Sequence, residues 1–233
     1  MKKLKNLANE IFIEGLSGMA AGLFATLIIG TIIQQIGSFI PGTVGELIYI
    51  IGKMAASVTG VGIGCGVAVR FKESPLVIMS AATCGMVGAF ASKILAGTVL
   101  VDGTIVYAGP GEPLGAFVGA LAGIYMGRLV SQKTKVDIII TPLLSILTGS
   151  TVGLILGPPI SSLMTFLGEL INLGTQQQPF LMGIFVSVIM GIVLTLPISS
   201  AALGIILNLS GLAAGAATVG CCANMVGFAV ASY

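Results

Sequence analysis

DIIITPLLSILTGSTVGLILG, Asp137–Gly157, carries no charge after its first residue and places Gly149, Gly153 and Gly157 at every fourth position. About 20 apolar residues rising 1.5 Å each cross the roughly 30 Å hydrocarbon core of a bilayer. Residues four apart share one helix face, and glycine on that face lets two backbones approach closely, as helices in lipid require. The run before it repeats the device with Gly115, Gly119, Gly123 and Gly127. The two stretches predict membrane-spanning helices that touch other helices through their glycine faces.

Outward from there, apolar runs fall at 16–39, 47–69, 75–98, 114–128, 137–157, 179–197 and 203–231, about seven spans. The expected fold class is therefore an all-α, polytopic transmembrane helix bundle with broken or re-entrant segments. Composition agrees: of 233 residues 56% are hydrophobic and 8% charged, against roughly 25% charge in a soluble domain. The surrounding medium is the lipid bilayer. A net charge of +2, scattered along the chain, leaves no basic face for nucleic acid. With no His, and with Cys65, Cys84, Cys221 and Cys222 in apolar stretches, no zinc site, cofactor site or Ser-His-Asp triad is expected, and no catalytic residue is assigned. Buried thiols of this kind behave as small apolar side chains.

Lys2, Lys3 and Lys5 precede the first span, Arg70 and Lys72 follow the second, and Arg128, Lys133 and Lys135 follow the fourth. The alternate loops, Ile40–Glu46 and Val99–Glu112, hold no Lys or Arg. An excess of cations on cytoplasmic loops then places the N-terminus in the cytoplasm and the chain in the cell membrane. The lysines resemble the start of a signal peptide, but the apolar run beyond Ile11 is too long and contains Glu14, so it reads as a retained span. Gly22–Ile40 aligns with Gly149–Leu167, and Gly45-Glu46-Leu47-Ile48 falls on Gly168-Glu169-Leu170-Ile171. Two parallel repeat units are expected, 1–136 and an incomplete 137–233. The ending Ala229-Val230-Ala231-Ser232-Tyr233 lacks a polar tail, as a piece of a longer protein would.

Three places read as helix breaks of the kind that lines a transporter cavity: Ser57–Gly66 with glycines at alternate positions, Gly157-Pro158-Pro159, and Pro197-Ile198-Ser199-Ser200. Pro158 and Pro159 are expected to end one helix and start a re-entrant segment through 158–178. Pro197, Ser199 and Ser200 form either an inner gate or a short cytoplasmic turn. Glu14 reads as interfacial, and Lys53 and Lys93 as cations that snorkel or face a cavity. Glu169, Gln176, Gln177 and Gln178 combine an acceptor-only carboxylate with amides that both donate and accept, which suits a small polar, sugar-like solute. A polar external loop explains the same residues. Asn208 and Asn224 either line the cavity or hydrogen-bond between helices.

The segments Gln178-Pro179-Phe180-Leu181-Met182-Gly183, Leu194–Ala202 and Gly220-Cys221-Cys222-Ala223-Asn224-Met225-Val226-Gly227-Phe228-Ala229 carry a resemblance. Through them the chain resembles the IIC-type membrane components of the bacterial phosphotransferase system, in the branch with perfringolysin-regulator-like membrane proteins. That resemblance implies a sugar permease subunit, a cytoplasmic IIB-type phosphoryl-transfer partner and a homodimer. The Gly-Ile-Thr-Glu motif of glucose-class carriers is not present, so Glu169 does not inherit its role. A membrane-embedded regulator or scaffold, and an ion-coupled carrier of another polar solute, are the alternatives.

Overall fold

The computed structural model describes residues 7–193 apart from 102, 108 and 134, together with 204, 207 and 209–231. Its helices are α1 (Leu7–Phe39), α2 (Thr43–Ser57), α3 (Thr59–Arg70), α4 (Pro75–Ala89), α5 (Ala91–Leu95), α6 (Pro113–Val130), α7 (Asp137–Gln177), α8 (Pro179–Val193) and α9 (Gly211–Ala231). Between α5 and α6 a two-residue hairpin, β1 (Leu100–Val101) and β2 (Thr104–Ile105), pairs Leu100 with Ile105. The chain forms an all-α membrane bundle. Contacts divide it into two compact units, Met1–Ser161 and Ser162–Tyr233, with α7 passing from the first into the second.

All seven expected apolar segments contain helix, but among the described residues fewer reach the length of a span. α1, α6, the Asp137–Leu163 part of α7, and α9 are long and apolar enough to cross a membrane, and α2 with α3, bent by 53°, makes a fifth. α4 and Pro179–Ile192 are shorter apolar helices. The expected 75–98 span stops early because the backbone leaves the helix at Phe90, with φ −109° and ψ 14°. Large apolar side chains such as Phe39, Ile138 and Phe180 stand 82%, 71% and 79% exposed, as lipid-facing residues do.

In the first unit α1 runs antiparallel along α2 and α3, and the contacts are backbone against backbone. A Cβ built on Gly22 would lie 2.1 Å from the Gly62 carbonyl oxygen, and one on Gly66 would lie 2.3 Å from that of Gly18. Further along, Gly30 meets Gly52 and Ala56, and Gly37 meets Gly45 and Tyr49. Alternate positions on a helix turn by about 200°, so the four glycines of α3 divide into two opposite faces. Gly62 and Gly66 lie on α1, while Gly60 and Gly64 lie on Gly85 and Ala81 of α4. The expected break within Ser57–Gly66 is present as the 53° bend between α2 and α3, while the four glycines themselves stay helical. The bend comes just before them, at Val58, where the Thr59 hydroxyl, fully buried, donates to the Ala56 carbonyl at 2.7 Å.

The glycine faces read from the sequence meet as expected. Gly149 lies against Gly119 and Gly123 of α6, Gly153 against Gly88 of α4, and Gly115 against Gly88. Cys84 fills the centre of this three-helix junction, its thiol donating to the Ser145 carbonyl at 3.3 Å, while the Ser145 hydroxyl donates to the Gly123 carbonyl at 2.6 Å. Met19, Leu23, Ile63, Val67, Val77 and Ile124 complete the core.

One expectation fails outright. α7 continues through Pro142, Pro158 and Pro159 as far as Gln177, so no helix end or re-entrant segment begins at Gly157. Proline costs the ladder a donor, but its fixed φ remains helical, and membrane helices tolerate it when neighbours support the turn. Here Gly157 packs on Ala91. In the second unit α8 and α9 cross where Gly220 lies on the Ser187 carbonyl, above a cluster of Val186, Met190 and Ala217 with Ile171, Leu209, Ala216 and Cys221.

Gly22→Ala is expected to destabilise the protein by about 1–3 kcal/mol, because two backbones must separate. Gly183, with open space around it, supplies the control: Gly183→Ala should stay within about 0.5 kcal/mol of wild type. Thermal unfolding in detergent separates the two, and equal midpoints would refute the close-contact account.

Candidate functional site

The charged residues of the first unit gather at one end. Glu10 and Glu14 sit on a wide, π-helical turn of α1, Glu10–Gly15, and point to two different arginines. Arg128, in the last turn of α6, holds Glu10 at 2.7 Å and Glu73 at 2.6 Å through Nη2, and its Nε donates to Glu73 at 2.7 Å. Its guanidinium carbon lies 5.6 Å from the Phe71 ring centroid and 5.3 Å from that of Tyr125. Arg70 closes α3 and donates from Nε to Glu14 at 2.5 Å.

Local backbone geometry explains how Glu73 reaches this cluster. Lys72 takes the left-handed conformation, φ 59°, so that its N–H returns to Val69 at 3.0 Å and that of Glu73 to Ala68 at 3.1 Å. This is the hydrogen-bond pattern of a helix C-cap, which here reverses the chain beneath α6. Cations at the ends of α3 and α6 also complement the negative ends of both helix dipoles. Beside the cluster opens a cleft of about 790 Å³ lined by residues including Glu10, Glu14, Ser17, Arg70, Phe71 and Lys72. Its wall carries two acids, Glu10 and Glu14, and two cations, Arg70 and Lys72, beside apolar residues such as Ala21 and Val69.

The residues expected from sequence lie elsewhere, in the second unit. Glu169 is exposed on α7, and Gln176, Gln177 and Gln178 are exposed at its end and in the turn that follows. Thr175, beside them, is buried and donates to the Ile171 carbonyl at 2.7 Å. Asn224 donates from its side-chain amide to the Gly191 carbonyl at 2.5 Å, the interhelical role that was one of its two readings. It also lines a groove of about 300 Å³ with Ser187, Gly191 and Gly220. No hydrogen bond among the described residues joins Glu169 or the glutamines to Asn224. Asn208, Pro197, Ser199 and Ser200 lie outside the described residues. Pro158 and Pro159 are interior to α7 and open no gap in it.

Sequence reasoning gave Arg70 and Arg128 a topological meaning only, and it left Glu10, Glu73 and Tyr125 unassigned. A signal was present: in a chain with eight Asp and Glu, Glu10, Glu14 and Glu73 all fall beside the cation-rich segments. Acids do not follow the positive-inside pattern, so their placement there points to pairing.

The family described as "Phosphotransferase system, EIIC" matches residues 13–233, nearly the whole chain. This chain belongs to that family. A search of curated proteins returned no match. As an EIIC component it is the membrane-embedded transport part of a phosphotransferase system, and its long apolar helices are bilayer segments of a cell-membrane protein. EIIC components in general act on a sugar together with a IIB partner. The ion cluster ties α1, α3 and α6 together at one end of the first unit of this EIIC chain.

The ion pairs of the two arginines should differ in strength. Arg128→Ala leaves Glu73, whose side chain is 9% exposed, without its cation, and Arg128 itself is 37% exposed. An expected cost of about 2 kcal/mol lies between the buried and surface limits. Arg70→Ala, at a pair exposed by 54% and 41%, should cost less than about 1 kcal/mol and should lose that effect in high salt. Unfolding midpoints at low and high ionic strength would show the contrast.

Proposed function

We propose that this EIIC chain carries a sugar or similar polyhydroxyl solute across the bacterial cytoplasmic membrane by alternating access. A cytoplasmic IIB-type protein phosphorylates the solute on arrival. The observation that carries this reading is the family match over residues 13–233. The reading includes seven membrane segments, in which α4 with α5, and α8, pass through the bilayer beside the longer helices. It also includes a cytoplasmic N-terminus, a homodimer and the parallel repeat of 1–136 with 137–233.

Two features support the orientation. Arg70 and Arg128 lie in the last turns of α3 and α6, with Lys72 and Lys133 just beyond them, and the ion cluster ties the ends of these helices to the start of α1. In this orientation the cleft beside the cluster faces the cytoplasm, where phosphoryl transfer takes place. Glu169, Gln176, Gln177 and Gln178 are the proposed solute contacts: a carboxylate accepts from sugar hydroxyls, and amides complete the mixed donor and acceptor set. Pro197, Ser199 and Ser200 form the proposed inner gate.

A regulator or scaffold without transport is favoured by one observation. Glu169 and the three glutamines are exposed, and none of them lines the cleft beside the ion cluster or the groove at Asn224. Uptake decides between the two readings. Membrane vesicles containing the full chain and the IIA and IIB partners are supplied with radiolabelled hexoses, pentoses and hexitols. Transport predicts accumulation of one phosphorylated sugar only when the IIB partner is present. Glu169→Gln should lower that uptake about tenfold, the loss expected for a hydrogen bond to a charged acceptor. Unchanged uptake would remove Glu169 from the site, and no uptake of any sugar by wild type would favour regulation.

A further inference from the structure

Where α4 breaks at Phe90, the Ala89 carbonyl loses its helical donor and takes the backbone N–H of Glu112 instead, at 2.7 Å. Glu112 thereby sits just ahead of α6, and its side chain meets α7. The Ser161 hydroxyl approaches one carboxyl oxygen, Oε2, at the long distance of 3.4 Å. The other, Oε1, is buried beyond the reach of a water-sized probe and has no hydrogen-bond partner. A charged carboxylate in this position has an acceptor that nothing satisfies, a costly arrangement away from water.

Room decides what can relieve that cost, and removing the charge relieves the larger part of it. An oxygen with no accessible surface admits neither water nor a solute hydroxyl. A proton needs no room. We infer that Glu112 is a proton-binding site, occupied at neutral pH, and that the resulting neutral carboxylic acid keeps the 96–112 connector seated on the α4 break and against Ser161. The step is a simple association, in which one proton from the aqueous phase joins the carboxylate to give the acid.

The surroundings favour this state. Burial pushes the Glu112 carboxyl above its ordinary range, and the Ser161 hydroxyl and the backbone N–H of Leu114 pull it back only in part. Around the site, α5 contributes Lys93, whose ammonium lies over the Phe90 ring 5.4 Å from its centroid. The connector contributes Tyr107, whose ring packs on Phe90 at 5.2 Å. On α6 and α7 the described charged groups near the first unit's helices, Arg128 and Asp137, lie at the far ends from Glu112. The sign of the linkage follows: with the folded value raised, the stabilisation is complete below the free-glutamate range near about 4.3 and is lost as pH rises through the folded value.

Infrared difference spectroscopy on the full chain in lipid nanodiscs tests the site. In wild type, a protonated-carboxyl C=O band should persist at neutral pH and disappear on alkaline titration, with a midpoint well above that of free glutamate. Glu112→Gln should lack the band, and its thermal midpoint should fall less with rising pH than that of wild type. Ser161→Ala keeps the carboxyl and removes a group that favours its charge, so its titration midpoint should move further up. This arm stands even if the glutamine variant does not fold. The inference is overturned if wild type shows only carboxylate at neutral pH, if the band survives in Glu112→Gln, or if the Ser161→Ala midpoint stays where it was.

Discussion

Direct contact between backbones is the constraint from which the first unit is built. Hydrocarbon offers little drive for apolar side chains to leave it, so helices adhere through dispersion and weak polar contacts that operate only at short range. α3 shows how far this goes. Its glycines at 60, 62, 64 and 66 strip side chains from opposite faces, so that α1 lies against one face and α4 against the other. α4 in turn meets α6 through Gly88 and Gly115, and α7 through Gly153. A methyl group at several of these points would collide with a carbonyl oxygen instead of a movable side chain.

Such packing leaves little space for irregular backbone, and the two helix breaks in this unit are each repaired by a specific donor. Thr59 serves the Ala56 carbonyl at the α2–α3 bend, and the Glu112 N–H serves Ala89 at the end of α4. The repairs differ in reach. A threonine hydroxyl acts three residues away and travels with the bend, whereas Glu112 ties a distant connector to the break. The same economy governs charge. Arg128 satisfies two carboxylates from different elements and stacks on two aromatic rings, which secures the ends of α1, α3 and α6 around one guanidinium.

For an EIIC transport component this division has a mechanical meaning. The first unit is dense, glycine-packed and ion-paired, with its charged end beside a wide cleft. In the second, a small apolar cluster holds α8 and α9, and Asn224 ties them through a carbonyl. The polar residues singled out from sequence, Glu169 and Gln176 to Gln178, were legible as rare hydrophilic groups in an apolar chain. Their exposure on the described surface was not legible, because a linear pattern gives residue type without the partner that would cover it. Glu10, Glu73 and Arg128 show the reverse failure. Their distance along the chain, up to 118 residues between Glu10 and Arg128, hides a contact that no local spacing encodes.

Residue order alone determined the solvent, the helical class, the family and the glycine faces of α6 and α7, because hydropathy and a four-residue period are local properties that lipid and helix geometry translate directly. It placed a break within Ser57–Gly66 correctly but misjudged the prolines at 158 and 159, since proline permits both a break and a continuous helix, and the neighbour supplies the choice. Only the tertiary structure decided where helices bend, which carbonyls are then rescued, and which acids meet which arginines. Those outcomes depend on distances between segments remote in sequence, and those distances exist only once the helices have closed upon one another.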